Sequence, residues 1–145
     1  MADPRNKVEF KGLVPVGDGD LTFKTDNSTI LYDEDEPGGS VSVGLAVTMS
    51  ADDTVALAVD GDAVIGQLLK VEPDNKATVR VKGCVELPGG TSATLTRGSA
   101  IVGALGASSA KGHIRSAASG TAAELVKARG VIYRNTDTTK VVVHL

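Results

Sequence analysis

The chain of 145 residues has no tryptophan, and its aromatic residues stop at Phe10, Phe23, Tyr32 and Tyr133. A core without large rings must be assembled from Val, Ala, Leu and Ile. Valine, branched at Cβ, suits a pleated strand better than a helix. The same shortage leaves few platforms on which bases or sugar rings could stack. A single cysteine, Cys84, excludes an internal disulfide and a Cys-based zinc cluster. A net charge of −3 does not supply the dense basic patch that duplex nucleic acid requires. No apolar run is long enough for a bilayer, and Met1-Ala2-Asp3-Pro4-Arg5 lacks the apolar core of a secretion signal. These absences predict a protein made in the cytoplasm, with neither nucleic acid nor membrane as partner.

What the chain does contain is globular material, 41% hydrophobic and 23% charged. A domain of this size buries roughly 70% of the surface its unfolded chain exposes, so it needs no disulfide or metal to fold. Seventeen glycines provide many places to turn or bulge. The composition predicts a mainly β protein of many short strands, a compact β-barrel or β-sandwich-like domain.

Residues 1–16 read as an extended N-terminal arm or edge strand, with Val8 and Phe10 alternating and Pro4 keeping its start out of a ladder. Residues 17–145 read as a single β-rich domain. Gly17-Asp18-Gly19-Asp20 is a turn before a short strand, Leu21 to Thr25. Asp33-Glu34-Asp35-Glu36-Pro37-Gly38-Gly39 reads as a solvated loop, since its carboxylates repel one another and Pro-Gly-Gly breaks regular structure. An apolar run from Val41 to Met49 follows, then a turn at Asp52-Asp53, a strand over Thr54 to Val59 and a turn at Asp60-Gly61-Asp62.

The clearest pattern is a hairpin, Ile65 to Val71 and Ala77 to Leu87, around Glu72-Pro73-Asp74-Asn75-Lys76. Ala77, Val79, Val81, Val85 and Leu87 share one face, with polar residues between them, and Gly83 marks a bulge or a bend at a barrel corner. Pro88 to Ser119 is rich in Gly, Ala and Ser, compatible with close backbone packing or with a surface loop. One short helix is expected at about 121–129. Thr121 and Glu124 have capping-box spacing, Ala122, Leu125 and Val126 form an apolar stripe, and Gly130 is suited to end the helix. So short a helix should pack on the sheet. Val131 to Tyr133 and Lys140 to Leu145 complete the strands.

Candidates for chemistry fail on spacing. His113 and His144 have no local partners for a triad, and no Gly-x-Ser-x-Gly elbow occurs. Cys84 reads as a small semi-buried residue rather than an activated thiol. Gly106 to Gly112 lacks the second glycine and the hydroxyl of a phosphate loop. The run Asp33 to Glu36 lacks calcium-loop spacing, and the pairs Asp18/Asp20 and Asp60/Asp62 are weaker still. Lys76 near the hairpin tip lacks the flanking residues of a biotinyl or lipoyl carrier. No catalytic residue, cofactor or metal is expected, and the protein reads as not an enzyme.

Over about residues 40–145 the order and texture resemble the capsid cement, or head decoration, proteins of tailed bacteriophages. The likeness rests on Gly61-Asp62-Ala63-Val64-Ile65-Gly66 and on Ala77 to Leu87. It continues through the Gly/Ala-rich stretch, Gly120-Thr121-Ala122-Ala123-Glu124, Ala128-Arg129-Gly130-Val131-Ile132 and Lys140 to Leu145. The resemblance implies a virion structural protein on the outer capsid surface that bridges major capsid protein subunits. It further implies a homotrimer at threefold and quasi-threefold positions. In that setting Pro4, Val8, Phe10 and Leu13 are the residues expected to face the capsid or a neighbouring copy, although Phe10 and Leu13 could equally fill the domain's own core. A different non-enzymatic β-module, a fibre base or a carbohydrate-binding domain, is the alternative, weakened by the scarcity of aromatics.

Overall fold

The structure is a computed structural model and describes residues 19–145. Its strands are β1 (Asp20–Thr25), β2 (Ala46–Ala51), β3 (Thr54–Leu57), β4 (Gly66–Val71), β5 (Lys76–Arg80), β6 (Cys84–Leu87), β7 (Ile101–Ala104), β8 (His113–Ser116), β9 (Val131–Arg134) and β10 (Val141–His144). Among the described residues, one α-helix element, α1 (Ala122–Lys127), lies between β8 and β9, and Pro37–Gly39 and Ala107–Ser109 form short 3-10 turns.

Five strands close a barrel in the order β1-β3-β2-β4-β5, with β5 returning to β1. Only β1 and β3 run parallel. The antiparallel neighbours β2–β3 and β4–β5 are hairpins whose turns suit their residues. Asp53 and Asn75 adopt φ of +54° and +60°, a region that short polar side chains tolerate better than branched ones. The barrel interior holds Ile30, Val47, Val55, Leu57, Leu68, Val71, Ala77 and Val79. Ile30 comes from the β1–β2 connection, not from a strand. The Asp26 carboxylate folds that segment by accepting the Thr29 and Ile30 N–H groups at 3.0 and 3.1 Å, and Thr29 Oγ1 in turn accepts the Leu57 N–H at 2.9 Å.

A second apolar cluster lies under the sheet β6-β10-β9 and the hairpin β7–β8, and includes Val85, Leu87, Ile101, Ile114, Ile132, Val141 and Val143. Backbone bonds tie it to the barrel: Ala46 N–H to Gly112 O, Gly112 N–H to Ala58 O, and Ala58 N–H to Ala46 O. The mainly β barrel fold and the short helix α1 agree with the sequence reading.

Three local expectations are corrected. The long arm Ala77 to Leu87 is two strands, because Gly83 at φ +100° turns the chain out of the barrel and into the second sheet. The alternation survives the turn, with Ala77 and Val79 buried in one core and Val85 and Leu87 in the other. The apolar run from Val41, whose structure the pattern left open, begins with turns, Val41 is 72% exposed, and a strand starts at Ala46. The strand expected over Thr54 to Val59 ends at Leu57, since Ala58 bonds into the junction. The stretch 88–119 contains a buried hairpin, with Ile101 to Ala104 all inside. There glycine is required by contact: a Cβ on Gly103 would run into the Val59 carbonyl. The third correction concerns α1 and is taken up with the cleft it borders. The arm, 1–16, lies outside the described residues.

Candidate functional site

A cleft of 960 Å³ opens between the loop carrying Thr91, Ser92 and Thr94 and the segment from Ser116 to Gly120. Its floor is organised by Arg115, which leaves β8 beside the turn after β3. Arg115 Nε donates to Asp60 Oδ1 at 2.8 Å, and Nη2 donates to Asp60 Oδ2 at 3.5 Å. Nη1 donates to Ser116 O at 3.2 Å and to Glu124 Oε2 at 3.0 Å, and Nη2 also donates to Glu124 Oε1. A guanidinium has five N–H donors, and here all five are engaged.

The bidentate bond to Arg115, reinforced by the Ala118 N–H at 2.9 Å, lowers the Glu124 carboxyl to about 2. Hydrogen bonds from Arg115 to Glu124 and then to Asp60 raise the guanidinium above its ordinary value. Because no donor is left for an incoming anion, the group acts as a clamp and not as a ligand site. It fastens α1 to β8.

The helix forms where expected, but this geometry overturns the capping and packing expected of it. Thr121 precedes α1 but makes no side-chain cap, because Glu124 turns toward Arg115 instead of closing a capping box. No residue of α1 is buried. Leu125 is 50% exposed and Val126 87%, so the apolar stripe faces outward. On the strand that follows, Val131 and Tyr133 are exposed as well. Helical spacing could not reveal this, since Arg115 lies nine residues from Glu124 on another element.

The remaining candidates are dispersed. His113 starts β8, with Nδ1 3.2 Å from Lys111 O. His144 stacks on Tyr133 with ring centroids 5.7 Å apart. Cys84 is exposed and pairs with His144 across β6 and β10. Among the described residues neither histidine hydrogen-bonds a hydroxyl, a thiol or a carboxylate. Asp60 and Asp62 diverge, Asp60 to Arg115 and Asp62 to the Val59 N–H at 3.0 Å. Asp33 accepts the Asp35 N–H within its own loop at 3.0 Å, Asp20 pairs with Arg80 and Lys76 with Asp74. No three His, Cys, Asp or Glu residues among those described are grouped as a metal site would need. Asp18, Pro4, Val8, Phe10 and Leu13 lie outside the described residues.

Comparison with known protein families, with characterised proteins and with solved structures finds no match to this chain.

Proposed function

We propose that this protein is a virion structural component that binds the outer surface of a tailed-phage capsid. It stabilises the shell by bridging major capsid protein subunits, acting as a homotrimer at threefold and quasi-threefold positions. The observation that carries the reading is the outward display of Leu125, Val126, Val131 and Tyr133 on an α1 clamped by Arg115 and on β9. Exposed large apolar groups on anchored elements are the ordinary material of protein contacts. The sequence resemblance gives the kind of partner. A trimer engaging several subunits at once gains effective concentration from weak individual contacts, and binding only the expanded shell stabilises it by mass action.

The test is incubation of the protein with expanded, undecorated capsids from the same source, followed by sedimentation. Co-sedimentation, and greater resistance of the decorated shells to heat, are expected. A protein left wholly in the supernatant overturns the reading. Deletion of residues 2–12, which removes Pro4, Val8 and Phe10, should weaken shell binding while the barrel stays folded. Unchanged binding would rule out the arm as a contact.

A further inference from the structure

We infer that copies of this chain join head to tail, the acidic loop 31–41 of one copy seated on the span 125–134 of the next. The two segments are opposites in charge and alike in apolar exposure. Residues 31–41 carry four carboxylates, Asp33 to Glu36, and no cation. They leave Leu31 54% and Val41 72% exposed. Residues 125–134 carry Lys127, Arg129 and Arg134 and no carboxylate, around the exposed Leu125, Val126, Val131 and Tyr133. The loop concentrates the acidity of the molecule: removing its −4 from the net −3 leaves +1. A rim of charge around an apolar centre is the usual anatomy of a contact, with complementarity selecting the partner.

The two segments are anchored toward opposite ends of β4, and no ion pair joins them among the described residues. Loop 31–41 lies at the far end of β4, where Gly38 and Gly39 press against the carbonyls of Leu69 and Val71. The span 125–134 is fixed at the near end, where Arg129 donates to Ile65 O at 2.9 Å and Val81 O at 2.7 Å, just before β4 and just after β5. The anchor points lie four to six strand residues apart, about 13–20 Å. A second copy brings the unlike surfaces together. Because the contact joins different patches, it generates a ring where the rotation closes. The inference rests on the self-association proposed above and names its surface.

The experiment uses the full chain in sedimentation equilibrium at low and high salt, with far-UV circular dichroism confirming the fold of each variant. Glu34→Lys with Glu36→Lys, and separately Lys127→Glu with Arg134→Glu, should each weaken self-association by roughly tenfold or more. All four reversals together should restore most of it. A wild-type chain that is monomeric at every concentration overturns the inference. So does an effect of one pair alone, which indicates a symmetric contact, or a fourfold variant no better than either pair. Shell co-sedimentation of the same variants separates this inference from the function. Failure to bind shells with self-association intact overturns the cement reading and leaves the head-to-tail contact standing.

Discussion

Arg115 shows how one side chain can replace a hydrophobic anchor. A six-residue helix is too short to persist alone, and no residue of this one is fully buried. Its attachment is therefore ionic, and its pH dependence has a definite sign. Glu124 titrates at about 2 in the folded chain against an ordinary 4.5. The contribution of its charged form is complete above about pH 4.5 and is lost as pH falls toward 2. Amide exchange over residues 122–128, corrected for intrinsic rate, should accelerate across that window. In an Arg115→Met protein the Glu124 carboxyl, followed by carbon NMR, should titrate well above 2, toward 4.5, with the Ala118 N–H and Lys127 still holding it somewhat low. A value still near 2 would show that Arg115 is not its cause.

At the scale of elements, two glycines do different work. Gly83 holds φ +100° where a Cβ would meet nothing within 4 Å, so its role is conformational. Gly66 has no such φ, but a Cβ there would strike the Arg80 carbonyl and Val79 across the barrel ladder, so its role is steric. Gly83→Ala should cost about 1–2 kcal/mol from backbone strain. Gly66→Ala should cost about 1–3 kcal/mol or more from overpacking. Asparagine separates the causes, because it tolerates positive φ yet is larger than alanine. In urea unfolding, Gly83→Asn should be milder than Gly83→Ala, and Gly66→Asn should be worse than Gly66→Ala. The reverse order at either site would contradict its assignment.

For the whole molecule, the main question is whether the two apolar clusters unfold together. They share the continuous chain β5–Gly83–β6, the Ala46–Gly112–Ala58 backbone bonds and the Arg129 side chain across Ile65 and Val81. That coupling predicts one cooperative transition. Leu68→Ala in the barrel and Ile132→Ala in the second cluster, both fully buried, should each lower the same midpoint, for a stability loss of about 2–5 kcal/mol. Far-UV circular dichroism and tyrosine fluorescence should trace one curve. Separate midpoints would mean that the clusters are independent.

The sequence by itself determined what depends on neighbours along the chain. Period-two alternation from Ala77 to Leu87 sets which side chains are buried, and the turn residues at Asp52-Asp53 and Glu72 to Asn75 set where hairpins reverse. The scarcity of aromatics sets the valine-rich character of both cores. It did not determine which strand pairs with which. Alternation assigns a face and not a partner, so only the tertiary structure revealed that Gly83 sends one half of the pattern to the barrel and the other to a second sheet. The contact surface was illegible for a similar reason. Ala122, Leu125 and Val126 have the spacing of a core-facing stripe, and nothing nearby announces that Arg115 captures Glu124 and turns that stripe outward. Local patterns decide local geometry, and pairing across the chain decides what is left exposed.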